Sequence, residues 1–265
     1  MFNAAFKVTN LDFAYLAMNV RKNNLAWAMK GVKALNIHGL NVTIPHKINV
    51  VKHLDWIDSE ARMIGAVNTI LNNRGELEGY NTDGIGAVRA IEESDTRLEG
   101  KTAVLIGSGG AARAIAFALS DRVEKLTILN RHADKARKLS AELTRKKGGR
   151  ACSGSLGKRD LKLAMSEADL VVNATSVGMH PQDNISFLNS SFLRPDQMVF
   201  DIVYNPLETM LLKEATRVGA KVVNGLGMLV HQAAEAFKIW TGRDAPIELM
   251  RKIGNEELLR LSGRE

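Results

Sequence analysis

The chain has 265 residues, 45% of them hydrophobic, with 36 Lys and Arg against 29 Asp and Glu and a formal net charge of +7. This length permits one large domain or two modest ones with a real hydrophobic core, and no repeat or low-complexity segment interrupts it. A single cysteine, Cys152, excludes a disulfide framework within the chain and leaves no Cys/His set with zinc spacing. We therefore expect a reducing, cytoplasmic environment and no structural metal.

The basic charge suits either a nucleic-acid binder or an enzyme that handles anions. The one dense basic run, Arg145 to Lys147, ends in two glycines, and aromatic residues make up only 5% of the chain. We interpret the run as a solvated helix end rather than a nucleic-acid patch. The N-terminal residues lack the pattern of a signal peptide, and no apolar run reaches membrane-spanning length. We thus expect neither nucleic-acid nor membrane partners.

The first third of the chain predicts a compact α/β region. Apolar residues with helical spacing alternate there with short strand patterns, and glycine or proline separates them. In chain order, the elements are a helix over residues 25–35, a strand over 40–44, a helix that begins at Pro45, a short helix over 59–64 and a hairpin over 69–80 that turns at Asn73, Arg74 and Gly75.

Beyond Gly100, short β-rich runs alternate with helical segments, which predicts a parallel sheet with crossover helices. The runs are TAVLI (102–106), LTILN (126–130), DLVVNAT (169–175), MVFDIV (198–203) and KVV (221–223). A long helix from Gly227 to Trp240 follows, with Ala233, Ala236 and Phe237 on one face. No strand comes after it, so we expect this helix to leave the sheet and pack on the first region.

The stretch TAVLIGSGGAARAIAFAL predicts a strand, a glycine-rich turn and a helix. Gly107, Gly109 and Ala112 have the spacing of the dinucleotide-binding fingerprint. Gly107 permits the tight turn, Gly109 lets the backbone approach a pyrophosphate, and Ala112 allows the helix to pack closely on the strand. Because the amides at the helix start would face phosphates, we predict a dinucleotide site here.

The second strand of this region ends about twenty residues later, where an NAD enzyme usually carries an acidic residue for the ribose hydroxyls. Asn130 and Arg131 stand there instead. A guanidinium can bond phosphate oxygens and stack on adenine, so the sequence favours NADP over NAD. Lys135 would add charge on the same side, although an exposed helix residue is an equal reading of it.

Taken together, the segments of the chain resemble the motifs of the shikimate dehydrogenase family. The resemblance extends over nearly the whole chain, in order and in spacing. The matching segments are NVTIPHK (41–47), GAVNT (65–69), YNTDG (80–84), GSGGAAR (107–113), NR (130–131), NATSVGM (173–179), DIVYNP (201–206) and NGLGMLVHQAAEAF (224–237).

The resemblance implies an α/β fold of two domains that face each other across a cleft. An α/β substrate domain would comprise residues 1–84 and 228–265, and a Rossmann-type NADP-binding domain with a parallel sheet would comprise residues 85–227. The reaction would be the reversible oxidation of shikimate to 3-dehydroshikimate by NADP, in the biosynthesis of chorismate and aromatic amino acids. A homodimer is compatible with the sequence, which does not itself fix the oligomeric state.

The resemblance also implies roles for individual residues. Lys47 would be the catalytic acid/base, and Asp83 its carboxylate partner. The residues implied to bind substrate are Thr43, Asn68, Tyr204 and Gln232. Those implied to bind the cofactor are Gly107, Ser108, Gly109, Gly110, Ala111, Asn130, Arg131 and Lys135, with Ile202 and Gly225 near the nicotinamide.

These residue types suit the chemistry. Removal of hydride from a carbinol carbon requires the hydroxyl proton to leave, so a proton acceptor must lie within hydrogen-bond reach of that oxygen. In the reverse direction, its protonated form stabilises the developing alkoxide. Without the resemblance, Lys47 would be interpreted as a solvated lysine at a helix start, and Asp83 as a helix N-cap.

The sequence departs from the family pattern at two places. Family members normally carry a first strand with a Ser-x-Ser-Pro motif and then a His-Asn-Ala-Ala-Phe segment, whereas Met1 to Asn3 lie within that segment and Phe2 replaces the histidine. His132 stands where a threonine is common. Without the strand and its serines, we expect an unpaired sheet position, intact NADP binding and weakened shikimate binding.

Two other functions stay open at this level. A quinate or shikimate dehydrogenase that uses NAD is the nearest alternative, and Arg131 counts against it. A nucleotide-binding or nucleic-acid-binding protein with little turnover fits the basic charge, but such a binder has no need of both Lys47 and Asp83. Nucleic-acid binding at physiological salt without turnover would favour it.

Overall fold

The computed structural model describes residues 1–148 and 151–262, which form an α/β structure with two separate sheets. The α-helices in this part of the chain are α1 (Phe2–Val8), α2 (Leu25–Ala34), α3 (Ser59–Ile64), α4 (Asp83–Glu92), α5 (Gly110–Ser120), α6 (Ala133–Lys147), α7 (Lys158–Glu167), α8 (Met210–Arg217), α9 (Gly225–Thr241) and α10 (Ile247–Ser262). The strands are β1 (Gly39–Asn41), β2 (Trp56–Ile57), β3 (Thr69–Asn73), β4 (Glu76–Tyr80), β5 (Thr102–Ile106), β6 (Lys125–Asn130), β7 (Ala151–Ser155), β8 (Leu170–Asn173), β9 (Met198–Asp201) and β10 (Lys221–Val223).

The larger sheet has the strand order β10-β9-β8-β5-β6-β7, and all its pairs are parallel. This confirms the predicted parallel sheet with crossover helices. The chain moves outward from β5 in both directions, so a crevice opens at the carboxyl ends of β5 and β8, where such sheets bind ligands. Buried apolar side chains from β5, β8 and β9 pack against α4 and α5 on one face and against α7 and α8 on the other.

Sequence patterning missed strand β7. Its residues, ACSGS, are small and partly exposed, because β7 is an edge strand that pairs only with β6 among the described residues. Such a strand needs little apolar surface, so it lacks the hydrophobic run that marks the others.

The smaller sheet has the order β1-β3-β4-β2, with β1 at one edge. The predicted hairpin is confirmed, since β3 and β4 pair antiparallel with Asn73 opposite Glu76. Helices α2 and α3 are also confirmed, and α3 has the predicted bounds. Buried side chains of α2, α3, β3 and β4 form a core beneath this sheet.

Two predictions around Pro45 are wrong. The strand predicted to reach Ile44 ends at Asn41, and the predicted second helix is a turn followed by a 3₁₀ helix over Asn49–His53. The reason is a tertiary contact. The Lys47 carbonyl accepts a hydrogen bond from the Val67 N–H at 2.8 Å, instead of one from an N–H in the next turn of a helix. The turn is thereby fixed to the segment that leads into β3.

The long helix α9 leaves the larger sheet and packs on the first region, as predicted. The indole Nε1 of Trp240 donates to the Ile70 carbonyl of β3 at 2.9 Å, inside a core shared with α1 and α10. Phe2 is 6% exposed and stacks on Tyr15 with ring centroids 4.5 Å apart. The aromatic residue in place of the family's histidine is therefore a core residue.

Candidate active site

Lys47 and Asp83 form an ion pair between the two sheets. Lys47 lies on the turn after β1, and Asp83 is the first residue of α4, directly after β4. The Lys47 Nζ is 2.6 Å from Asp83 Oδ2, and the side chains are only 16% and 4% exposed. Burying two charged groups this well costs free energy unless each neutralises the other. The pair is therefore an integral part of the fold and not a chance surface contact.

Asn68 fixes the other oxygen of this carboxylate. Its Nδ2 donates to Asp83 Oδ1 at 2.9 Å and to Thr82 Oγ1 at 2.8 Å, and it lies 3.3 Å from Gln232 Oε1. Its Oδ1 accepts the Thr82 N–H at 2.8 Å. Asn68 is 2% exposed, so these contacts hold it in one orientation. The structure thus brings together four of the predicted site residues: Lys47, Asp83, Asn68 and Gln232.

The other two predicted substrate residues lie apart from this group. Thr43 is exposed on the turn that leads to Lys47, and Tyr204 is 41% exposed on the loop after β9. Neither hydrogen-bonds to the four grouped residues within the described structure. Burial, and then the charge of Tyr204, raise the pKa of Tyr15.

Sequence reasoning missed a chain of hydrogen bonds that leads from Tyr15 to Asn68. The Tyr15 hydroxyl donates to Asn41 Oδ1 at 3.1 Å, Asn41 Nδ2 donates to Thr69 Oγ1 at 3.3 Å, and Thr69 Oγ1 donates to Asn68 Oδ1 at 3.1 Å. Asn41, Thr69 and Thr82 all lie inside motifs that match the family, which was the available signal. Tyr15 carried none.

The glycine-rich turn after β5 fits a dinucleotide phosphate. Gly107 has φ +125°, and a Cβ there would lie 2.7 Å from the Ala174 carbonyl, so only glycine is accommodated. A Cβ at Gly109 would meet no protein atom within 4 Å, which leaves this backbone open to a ligand. No side chain caps the start of α5, so its first amides are free for an anion.

The adenosine side of the predicted cofactor site lies at the end of β6. Asn130 Nδ2 donates to Ser108 Oγ at 2.8 Å, which links that strand end to the glycine-rich turn. Arg131 directly follows β6, and Lys135 lies in the first turn of α6; both side chains are exposed. Exposed cations at this position fit the extra phosphate of NADP.

Ile202 and Gly225, both predicted near the nicotinamide, lie against each other. A Cβ on Gly225 would collide with the Ile202 carbonyl, and the Gly225 N–H donates to the Val203 carbonyl at 3.3 Å. Ile202 follows β9, and Gly225 begins α9. The end of the larger sheet and the helix that carries Gln232 are therefore packed together at backbone distance.

Asp201, at the end of β9, is a buried carboxylate that sequence reasoning did not single out. It is 0% exposed, and burial raises its pKa to about 6, although hydrogen bonds from Thr209, Val203 and Asn173 oppose this. The bonds are 2.7, 3.0 and 2.9 Å long. Protonation of Asp201 therefore relieves the cost of a buried charge.

The raised pKa of Asp201 makes folding stability depend on pH. Since the folded pKa lies above that of an unfolded aspartate, the folded state binds more protons between about pH 4 and 6, and stability falls as pH rises through that window. We expect Asp201→Asn to reduce the difference in unfolding free energy between about pH 4.5 and 7.5 by about 2 kcal/mol. Urea unfolding of the wild type and the variant across this pH range measures the difference. The same pH dependence of unfolding free energy in both proteins would contradict a raised pKa of Asp201.

Among the described residues, no group of three His, Cys, Asp or Glu side chains could hold a metal ion, and no helix there is long and apolar enough to cross a membrane. The described side chains place the Lys47–Asp83 ion pair near the glycine-rich turn, an arrangement that could support proton transfer beside a bound dinucleotide.

Three family models match successive parts of the chain. They describe a shikimate dehydrogenase substrate binding domain over residues 1–70, a shikimate/quinate 5-dehydrogenase over 89–204 and a shikimate 5'-dehydrogenase C-terminal domain over 225–253.

Individual relatives agree with these matches. The chain is 48% identical to the shikimate dehydrogenase (NADP(+)) of Methanocaldococcus jannaschii over 95% of its length and 89% of the relative's. A crystal structure of a shikimate dehydrogenase in complex with NADP+ superposes with a TM-score of 0.91 at 46% identity, covering 97% of this chain and 89% of that one. The Thermus thermophilus enzyme in complex with NADP(H) and shikimate gives a TM-score of 0.85 at 35% identity, covering 96% and 92%.

Proposed function

This chain belongs to the shikimate dehydrogenase family and oxidises shikimate reversibly with NADP, and from that premise we propose that Lys47 and Asp83 are its catalytic pair. The observation that carries the proposal is the buried 2.6 Å contact between Lys47 Nζ and Asp83 Oδ2. Because these two atoms are in direct contact, a substrate hydroxyl would lie beside the pair, within reach of a proton donor that the carboxylate holds in place.

In the proposed mechanism, Lys47 moves the proton. During carbonyl reduction its ammonium donates a proton to the oxygen that gains charge, and during alcohol oxidation the same nitrogen accepts it. Asp83 accepts a hydrogen bond from the Lys47 Nζ and so keeps that nitrogen in place. Asn68 holds Asp83, and the substrate would take the place of the longest contact of its Nδ2, the 3.3 Å one with Gln232 Oε1. Gln232 would then donate to the substrate from α9. Thr43 and Tyr204 close the rim around the substrate.

NADP, when bound, accepts or supplies the hydride. We propose that the turn from Gly107 to Ala111 holds its pyrophosphate and that Asn130, Arg131 and Lys135 hold the adenosine phosphate. Ile202 and Gly225 line the nicotinamide end. The uncapped start of α5 and the open face of Gly109 support this assignment.

The direct test of these roles starts from the activity. We expect reduced nicotinamide to appear at 340 nm when the protein meets shikimate and NADP, with parallel reactions that replace NADP by NAD and shikimate by quinate. Faster turnover of quinate with NAD would favour the NAD-dependent alternative. Turnover that Lys47 and Asp83 variants retain in full would refute the proposed catalytic pair.

Arg131 provides a prediction about cofactor choice. Replacing it with alanine removes charge-assisted bonds to the 2′-phosphate, so we expect the dissociation constant for NADP to rise about 10- to 100-fold while that for NAD hardly changes. Titration calorimetry with both nucleotides measures this without turnover. Arg217→Ala is the control, since Arg217 is 68% exposed on α8 and pairs only locally with Glu214. Equal losses for NADP and NAD would contradict the role.

We also propose that residues 1–84 and 228–265 form the substrate domain and residues 85–227 the NADP domain, with a small-molecule substrate and no nucleic-acid or membrane partner. The basic run at the end of α6 supports the absence of nucleic acid, because Lys146 and Lys147 pair with Glu142 and Asp121. Cytoplasmic location agrees with the single, exposed Cys152. The homodimer stays a prediction, which light scattering would decide.

A further inference from the structure

Gly110, the first residue of α5, lies directly against the side chain of Lys47. A Cβ on Gly110 would be 2.7 Å from Lys47 Cβ, 3.2 Å from its Cδ and 3.4 Å from its Cγ. Carbon atoms in van der Waals contact stand about 3.5 to 4.0 Å apart, so a methyl group has no room here. The phosphate-binding turn and the proposed acid/base residue thus touch across the boundary between the two sheets.

Lys47 cannot easily give way to such a group. The nearest atom is its Cβ, which is attached to the backbone and does not move when the side chain rotates. That backbone is held by the hydrogen bond from the Val67 N–H to the Lys47 carbonyl at 2.8 Å. At the other end, the Nζ is held 2.6 Å from Asp83.

Helix α5 cannot easily move either. Gly84, next to Asp83, packs against its middle: a Cβ on Gly84 would be 2.9 Å from the Ala114 carbonyl and 3.1 Å from the Ala118 Cβ. Helix α5 therefore touches both segments that carry the ion pair, each time at a glycine. A shift of α5 away from Lys47 would change its packing beside Asp83.

The glycines of the turn consequently have different reasons to be glycine. Gly107 needs its positive φ, and Gly109 faces open space where a ligand fits. Gly110 does not have a positive φ, and the three atoms nearest to an added Cβ all belong to Lys47. A requirement for phosphate contact does not explain Gly110, because an added Cβ there would point at Lys47 and not into the open space that Gly109 faces.

We propose that Gly110 is a positioning residue for catalysis: its missing side chain lets Lys47 cross the start of α5 and reach Asp83. This rests on the proposed role of Lys47. The same turn that receives the cofactor thereby sets the place of the group that moves the proton.

The test is Gly110→Ala, with NADP binding and turnover measured separately. We expect kcat to fall about 10- to 100-fold at saturating NADP and shikimate, because a displacement of about 1 Å in a reacting group has this effect. The pH profile of kcat should change as well, and the loss of kcat should persist at saturating NADP, whatever change the variant makes in the dissociation constant for NADP. Gly31→Ala, in α2 with no atom within 4 Å of the added Cβ, is the control for a general glycine effect and should keep full activity.

A second experiment measures stability and not activity, so it is informative even when Gly110→Ala destabilises the protein. Gly110→Ala should lower Tm in the wild-type background but much less in a Lys47→Gly background, where the Cβ that it would strike is gone. Equal Tm losses in both backgrounds would overturn the proposal. So would a kcat loss that saturating NADP restores, since Gly110 would then serve only cofactor binding. If Lys47→Met kept full turnover, the proposed function of Lys47 would fail first.

Discussion

Replacing Lys47 with methionine is expected to lower kcat for shikimate oxidation by about 10²- to 10⁴-fold, the contribution of a well-placed acid/base group. Methionine keeps an unbranched side chain of similar length but cannot donate or accept the proton. NADP should still bind, because the turn after β5 keeps its backbone. Since the substitution leaves Asp83 buried without its partner, stability should fall too, by about 3 to 5 kcal/mol. Steady-state kinetics at saturating NADP and thermal unfolding measure the two effects.

Lys33→Met is the matched control. Lys33 and Asp55 make an ion pair with the same 2.6 Å distance in the same region of the chain, but their side chains are 40% and 41% exposed. We expect this variant to keep kcat and to lose little stability, as surface pairs contribute about 0 to 1 kcal/mol. Equal kcat in the two variants would mean that Lys47 has no part in the chemistry.

Asp83→Asn should give the second largest effect, a loss of about 100-fold or more in kcat/KM for shikimate. Asparagine has nearly the same shape, but it lacks the negative charge that holds the Lys47 ammonium, and its amide can turn a donor toward Asn68 Nδ2. The Asp83 Oδ1 that now accepts from Asn68 at 2.9 Å would then be replaced or displaced. KM for shikimate should rise together with the fall in kcat, while NADP affinity stays.

Two comparisons make this result decisive. Asp55→Asn removes the charge that pairs with Lys33 and strengthens the bond from the Leu77 N–H, so it should affect stability and not kcat/KM. The Lys47→Met, Asp83→Asn double variant should be hardly slower than Lys47→Met alone, because the two groups act as one unit. Fully additive losses would show that they act independently.

The larger sheet was predictable because its central strands have a clear hydrophobic pattern in the sequence. Strands β5, β8 and β9 are buried on both faces and appear in the sequence as continuous apolar runs. Strand β7 was not predictable, since an edge strand of small residues has no comparable apolar run. The segment after Pro45 could not be predicted either: its conformation follows from the bond between Val67 and Lys47, twenty residues apart in sequence, which no local pattern encodes.

The site shows the same division. The predicted phosphate-binding turn is local, so the glycine spacing between a strand and a helix is enough to predict it. Lys47 and Asp83 lie 36 positions apart, and only the family resemblance connects them before the structure does. The links through Asn41 and Thr69 depend on the register of β1 with β3, in which Asn41 pairs with Thr69. The contact of Gly110 with Lys47 depends on how two sheets dock, which is further still from the sequence.

Because α9 lies near the end of the chain, its contacts with the first region form late in protein synthesis. Gln232 completes the surroundings of Asn68, and Trp240 binds the Ile70 carbonyl, yet both are made long after Lys47 and Asp83. At about 5 to 20 residues per second, the ribosome needs on the order of ten seconds to go from Asp83 to Gln232. Until then the contacts of Gln232 with Asn68 and of Trp240 with Ile70 cannot form, so the proposed substrate site is complete only late in translation.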